Sequence, residues 1–565
     1  MITAHIPYQE IRFFSKLITD YLGKEGKVRS FYNNFPELFQ FRKQIDEKEF
    51  YFSADTRAVL VKSLKAQYAE VKTSPKVLRN IELLAKKNTF TITTGHQLSL
   101  FTGHLYFIFK IISVINTAKR LSEFYTDFHF VPIYWMATED HDFEEINHFH
   151  LNNRTICWNS EQTGATGNFA TDTLDAVFQT FDKAIGLGKN AEELKALFCD
   201  SYLKHHNLAE ATRYLVNALF EEYGVVVIDG NDKDLKQLFV PYIKQDFFNH
   251  TAQKEVEKTI ADLQALDTAY PIQVNPREIN IFYLTEGGRN RIVRTAEGFE
   301  VLNTDIKFTE TSILEELNSY PERFSPNVIL RPLYQEVILP NLAYIGGGGE
   351  IAYWLELKRF FNKQKVPFPM LMLRNSAMLV SKRQYERIEK LKLHPVDLFL
   401  KPEELKKRIN AMYCIAKAAG VGGMIAGQAS DIENENTDCT NEMLEYIHIN
   451  KTGALLTAAV RAGLYLGNAD DEMVKNMTKY AECLGLAFQI ADDILDVKGN
   501  PEMLGKNTGT DAAKAKTTYI SVNGLENSIK RLDELTNEAV EAIAPYYDNA
   551  EFFRNLVRKL ASRND

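Results

Sequence analysis

The stretch "FVPIYWMATEDHDFEE", Phe130 to Glu145, decides how this chain reads. Its first seven residues are apolar without alternation, the pattern of a strand buried on both faces. They run directly into a burst of charge. In a parallel sheet covered by helices, ligands sit outside the carboxyl ends of the strands. Glu139, Asp140, His141, Asp142 and Glu145 stand in that place. Such carboxylates can hold an ammonium or sugar hydroxyls, act as a general base, or bind a divalent cation. A solvated acidic loop with helix caps is the plain alternative.

Working outward, "TFTITT" (89–94) and "YGVVVIDGND" (223–232) read as further buried strands, each followed by a helical pattern. "NLAYIGGGGEIAYWLELKRFF" (341–361) reads as strand, glycine loop and helix. Apolar strands alternating with helices imply an α/β fold with a mostly parallel sheet. "INIFYLTEGGRNRIV" (279–293) looks like a hairpin, so an inserted piece is expected there. The first forty residues read as short helices, and 56–87 as an amphipathic helical stretch. Residues 376–410 are charged and helical, interrupted at Pro395 and Pro402. From about 411 the pattern is helical throughout, which sets the expected domains at 1–375, a connector at 376–410, and 411–565.

The 565 residues carry a net charge of -9, so no basic footprint points to nucleic acid. Cys157, Cys199, Cys414, Cys439 and Cys483 form no C-x-x-C pair, which fits a reducing cytoplasm. The amino terminus lacks the apolar core of a signal peptide. The apolar run "LYFIFKIISVI" (105–115) is short and contains Lys110, so it reads as a buried helix, and no membrane span is expected.

Two more segments suggest chemistry. "TTGHQLSLFTGHLYFIFK" (93–110) places Gly95, His96, Gln97, Thr102 and Gly103 between a strand and a helix. A helix N-terminus there suits a phosphate or carboxylate; a capped turn is the alternative. "YIGGGGEIAYW" (344–354) offers Gly346, Gly347, Gly349 and Glu350, where backbone can approach a ligand closely or simply turn.

These segments, with "SPNVILRPLYQEVILPNLAYIGGGGEIAYWLELK" and "PFPMLMLRNS", resemble in order the bacillithiol biosynthesis cysteine-adding enzymes (BshC) over about residues 1–405. The resemblance implies a Rossmann-like core with inserted connecting pieces. It also implies a ligase that joins cysteine to the amino group of glucosaminyl malate, with ATP activating the cysteine carboxylate. On that reading the acidic cluster takes the amine's proton. The glycine turns, with Arg331 and Arg374, hold anionic groups. The family has proline where this chain has His104 and Gly348. Its C-terminal dimerising coiled coil is not recognisable here, although a homodimer is retained as an expectation.

Residues 412–519 resemble instead the second half of a polyprenyl diphosphate synthase, through "GVGGMIAGQASDI", "IHINKTGALL", "YAECLGLAFQIADDILDVKG" and "LGKNTGTDAAKAKTTY". Asp492 and Asp496 share a helical face, with Asp493 beside them. The resemblance makes these three Mg2+ ligands, and makes Lys451, Gln489 and Lys506 the grip on a diphosphate. That family needs a second, facing aspartate motif, and the sequence has none upstream. Prenyl transfer by this part is thus expected to be incomplete. A helical tail serving only for interaction or dimerisation is the alternative.

Overall fold

The computed structural model describes residues 3–11, 13–152, 154–435, 437, 439–498, 517–546 and 549–562. The chain divides into two compact units, Pro7–Leu391 and Lys392–Asp565 with Met1–Ile6. The helix Pro402–Ala419 runs continuously through position 410, where the composition changes.

The larger unit is built on a five-stranded sheet of strands β1 (Thr89–His96), β2 (His129–Met136), β5 (Val226–Asp229), β11 (Asn341–Gly346) and β12 (Met370–Leu373). Their order is β12-β11-β1-β2-β5, and every pairing is parallel. A hairpin of β3 (His148–Leu151) and β4 (Arg154–Cys157) follows β2. The expected hairpin at 279–293 is part of an antiparallel sheet: β6 (Ile281–Thr285), β7 (Gly288–Thr295), β8 (Gly298–Val301), β9 (Lys307–Phe308) and β10 (Phe324–Pro326), in the order β10-β6-β7-β8-β9.

The parallel sheet is covered on both faces. Phe90 and Ile92 of β1 cluster with Val114, Ala118 and Leu121 of helix Tyr106–Phe124 and with Phe41 and Ile45 of helix Phe41–Tyr51. Ile133 and Trp135 of β2 belong to the second cluster, with Phe239 and Tyr334 from helices Lys233–Asn249 and Leu330–Ile338. The central strand also buries four threonines, Thr89, Thr91, Thr93 and Thr94, and the hydroxyls of the last three have partners. Thr91 and Thr93 hydroxyls donate to Asn341 Oδ1 at 3.3 and 2.8 Å, and Thr94 donates to the Ile345 carbonyl at 2.7 Å. Asn341 in turn donates to Glu336 Oε1 at 2.6 Å, and Lys48 Nζ meets Glu336 Oε2 at 2.8 Å. A polar chain therefore crosses one face of the sheet with its members satisfied.

The chain between helix Thr251–Leu266 and β6 is fixed by two buried carboxylates. Glu356 accepts the N–H groups of Gln273 (2.8 Å) and Val274 (3.2 Å), and Asp246 accepts the N–H and side-chain amide of Asn280. Burial pushes both carboxyls up to about 7, against the pull of those donors. A carboxyl raised above its unfolded value keeps a proton that the unfolded chain releases. Stability from these groups is therefore greatest below about pH 4 and falls as pH rises towards 7. The urea midpoint, followed by tryptophan fluorescence, should decrease between pH 5 and pH 7, and Glu356→Gln should flatten the slope. An unchanged slope in that variant would show that Glu356 does not carry the effect.

The smaller unit is helical. Leu444, Tyr480, Leu484, Ile490, Leu532, Leu535 and Val557 form its core, drawn mainly from helices Asp471–Lys498 and Leu525–Ala542. Among the described residues, Pro402–Glu433 alone is long and apolar enough to cross a membrane. Its helix stops at Ala419 and restarts at Met424. The first piece carries Glu403, Glu404, Lys406, Lys407, Arg408 and Lys417. Neither piece supplies the ~20 apolar residues that a spanning helix needs.

Candidate active site

A cavity of ≈ 690 Å3 opens at the carboxyl edge of the parallel sheet. The chain leaves β1 towards β2 on one side and returns as β11 on the other, so the cavity lies where strand order reverses, the place such sheets bind ligands. Its size is within the ~300–1,000 Å3 of small-molecule sites. Gly95, His96 and Gln97 line it from the end of β1, and Glu139, Asp140, His141, Asp142 and Glu145 from the end of β2. Arg331, Tyr344, Glu350 and Tyr353 line a further side.

One wall is acidic and tied to a bridging amide. Gln97 Nε2 donates to Asp140 Oδ2 at 2.9 Å and to Glu145 Oε2 at 2.8 Å. Burial works to raise the Asp140 carboxyl, but bonds from His141 and Gln97 and the Arg289 charge outweigh it, holding it well below its ordinary value. Asp142 moves the other way, pushed up by burial and by the Asp140 charge. Two adjacent carboxylates thus differ in basicity, a division of labour suited to one fixed charge and one proton acceptor. Glu139 is different again. It pairs with Lys236, whose side chain is fully buried and also donates to the Phe324 carbonyl at 2.7 Å. That ion pair makes Glu139 a joint between the two sheets, and a free proton acceptor less than its neighbours.

The opposite wall is cationic. Lys110 Nζ, buried on helix Tyr106–Phe124, meets Glu350 Oε2 at 2.6 Å and donates to the Gly95 carbonyl at 2.9 Å. Glu350 also accepts from Tyr344 (2.6 Å) and from the Gly347 N–H (2.8 Å). Burial would raise its carboxyl, but Lys110 and the Gly347 N–H prevail and lower it. Arg331 donates to Gln335 and Tyr353 at 3.2 Å each, between the rings of Trp135 and Tyr344. Its NH1 lies 3.7 Å from where a Gly95 Cβ would stand, so the absence of that Cβ leaves the guanidinium close to the strand end. His96 is stacked on Tyr106, and burial with the Lys110 charge lowers it to about 4, so the ring is neutral.

Several sequence expectations need correction. Glu350 is the counter-charge of Lys110 and occupies the first N–H of the glycine loop; it is no anion-binding group. Gly346 is closely packed, since a Cβ there would lie 2.9 Å from the Glu350 Cβ. Thr102 and Gly103 lie away from the cavity lining, as do Gly346, Gly347, Gly349 and Arg374. Arg374 nonetheless keeps a buried Nε without a hydrogen-bond partner, 3.6 Å from where a Gly347 Cβ would stand.

Two groups escaped the sequence reading as site residues. Lys110 had a signal, a lysine on the buried face of an apolar helix. Arg289 had none. It lies on β7, 148 residues beyond His141, and brings NH1 to 3.3 Å from His141 Nδ1 and 3.9 Å from Asp140 Oδ1. Ser325 Oγ, the Pro326 carbonyl and the Phe282 ring hold it there.

In the helical unit, Asp492 is exposed and Asp496 half-buried, one turn apart on helix Asp471–Lys498. Asp493 is buried, accepts the Tyr519 N–H at 2.6 Å and faces His448 at 3.8 Å, so it is a packing group and no open metal ligand. Lys451 pairs with Asp431 at 2.6 Å, and Gln489 accepts from Thr452 at 3.0 Å. Lys506 lies outside the described residues.

The sequence model of the family described as "Bacillithiol biosynthesis BshC, N-terminal Rossmann-like domain" matches residues 1–375. That described as "Polyprenyl synthetase" matches residues 375–548. The protein named "Putative cysteine ligase BshC" from Flavobacterium johnsoniae is 51% identical over 409 residues, covering 72% of this chain and 77% of that protein. Its namesake from Flavobacterium psychrophilum is 52% identical over 406 residues, covering 72% and 76%. Among solved structures, a geranyltransferase from Helicobacter pylori complexed with magnesium and isoprenyl diphosphate is 29% identical, covering 28% of this chain and 52% of that one, with a TM-score of 0.25. The chain spans about half the length of that transferase.

Proposed function

From the premise that this chain belongs to the BshC family, with a polyprenyl synthetase segment fused behind it, we propose that it is a cysteine ligase of bacillithiol biosynthesis. It joins the cysteine carboxyl to the amino group of glucosaminyl malate, and ATP supplies the activation that an amide needs when made from a carboxylate. The observation that carries this reading is one cavity with an acidic wall facing a cationic one. Amide formation calls for both. An amine is held as its ammonium and must lose one proton before it attacks and a second as the amide forms, while the carboxylate and phosphates are anions.

Asp140, with its lowered carboxyl, is the group that holds the ammonium. Asp142, with its raised one, takes the proton. Arg331 holds the acyl oxygen, and a buried guanidinium is worth more there than in water. The free cysteines of the chain fit a reducing compartment, where a thiol substrate persists.

The test is direct. Purified protein incubated with cysteine, ATP and glucosaminyl malate should yield the amide by mass spectrometry, dependent on ATP. No product, under conditions in which an intact relative makes it, overturns the reading. The fused segment carries one of the two aspartate motifs of its family, and nothing in the geometry of its described residues favours prenyl transfer over a supporting role.

A further inference from the structure

The helical unit leaves its most apolar stretch uncovered. Of the most apolar window in Pro402–Glu433, 11% is buried. Both helices of that stretch are two-faced. In Pro402–Ala419, Ala411 is buried, and Cys414 Sγ lies 3.6 Å from the Ala458 carbonyl oxygen of helix Ala454–Leu466. Leu405, Ile409, Met412 and Ala416 recur at three- and four-residue spacing on the opposite side. All four are exposed, Ile409 by 62% and Met412 by 71%. In Met424–Glu433, Gly427 is pressed against the Lys451 backbone and Asp431 pairs with Lys451. Ile425, Ala429 and Ile432 point the other way and are exposed. Val421, in the link between the helices, is 83% exposed. An ordinary surface helix turns such residues inward and shows polar ones to water; both helices here do the reverse.

The stripe on the first helix is edged with positive charge. At about 100° of rotation per residue, Arg408 falls on one margin and Lys406 and Lys417 on the other. All three are exposed. Arg408 meets Asp397 at 3.2 Å, while Lys406 and Lys417 have no acidic partner among the described residues. Glu403 and Glu404, the acids of this helix, lie beyond those margins. Tyr413, exposed, stands between the stripe and the two lysines.

Lysine and arginine bury their stems along apolar surface while their charged heads stay at its rim. An apolar stripe with cationic margins and a tyrosine at its edge is complementary to an anionic lipid surface, with its acyl interior and negative headgroups. A second copy of the chain fits this face less well. Paired across it, two such helices set basic margin against basic margin in either orientation. We propose that the helical unit docks on anionic lipid surfaces through the outward faces of Pro402–Ala419 and Met424–Glu433. The two helices, 18 and 10 residues long and broken between Ala419 and Met424, lie on the surface and do not span it. This docking does not depend on the ligase reading.

The test sediments the full chain with vesicles of phosphatidylcholine and phosphatidylglycerol in equal parts, and with vesicles of phosphatidylcholine alone. The protein should follow the mixed vesicles and stay largely in solution with the neutral ones. Ile409→Gln/Met412→Gln should abolish sedimentation. Both positions are exposed and glutamine is a good helix former, so the fold is retained, and circular dichroism checks it. Lys406→Gln/Lys417→Gln should weaken binding to the mixed vesicles about 25-fold, at about 5-fold for each lysine near an anionic surface. No sedimentation with the mixed vesicles overturns the proposal, as does binding unchanged in the Ile409/Met412 variant. Equal binding to both kinds of vesicle overturns the part given to the basic margins. Light scattering without lipid tests the other occupant: a dimer that Ile409→Gln/Met412→Gln breaks would give this face to a second copy and overturn the proposal.

Discussion

Lys48→Met should cost the larger unit about 3–5 kcal/mol, the usual penalty for removing one partner of a buried ion pair. Both side chains of the Lys48–Glu336 pair are wholly buried, 0% exposed. Substitution leaves Glu336 with amide donors from Asn341 and Gln335 but no counter-charge. Burial already raises the Glu336 carboxyl despite Lys48. Without the lysine it rises further, and the folded state then holds a proton that the unfolded chain gives up. The deficit should therefore grow as pH rises from about 5 to 8. All three tryptophans, Trp135, Trp158 and Trp354, lie in the larger unit. Urea unfolding followed by their fluorescence thus reports that unit alone. Lys48→Met/Glu336→Gln should recover much of the loss, because a neutral amide can still accept from Asn341. A deficit below about 1 kcal/mol, flat with pH, would show that the pair contributes little.

Asp142→Asn should lower kcat for amide formation by about 10²–10⁴, the range for losing a positioned proton acceptor. The side chain is 58% exposed, so the substitution leaves the fold intact. Its neighbour supplies the contrast. Asp140→Asn removes a charge fixed by Gln97, His141 and Arg289, and should act mainly on KM for the amine. Steady-state kinetics with each substrate varied separates the two. If Asp142→Asn instead raised the Mg2+ requirement at unchanged kcat, the aspartates would be holding the nucleotide's metal and the assignment would fall.

The sheet was legible where strands are buried on both faces. "TFTITT", "FVPIYWM", "VVVID" and "NLAYI" carry no competing helical period, and each is a strand of the parallel sheet. The β3–β4 hairpin was not legible, because one of its faces is His, Thr and Cys at the surface and only Phe149 and Ile156 mark the other. Position 410 looked like a boundary because charge gives way to small apolar residues. A helix tolerates that change, and Pro402–Ala419 passes through it. Around the cavity, the acidic run could be located because it directly follows its strand. Arg289 could not, because only the pairing of β6 with β10 and β7 carries that side chain to the end of another sheet.

The cavity charges are largely matched before any substrate arrives. Glu350 neutralises Lys110, and Arg289 stands beside Asp140. Little long-range field is then left for dissolved ions to screen. The Debye length is about 10 Å at 0.1 M salt, and both contacts are shorter than that. Capture of anionic substrates should consequently owe little to steering from afar, so that the rate of encounter changes little with added salt.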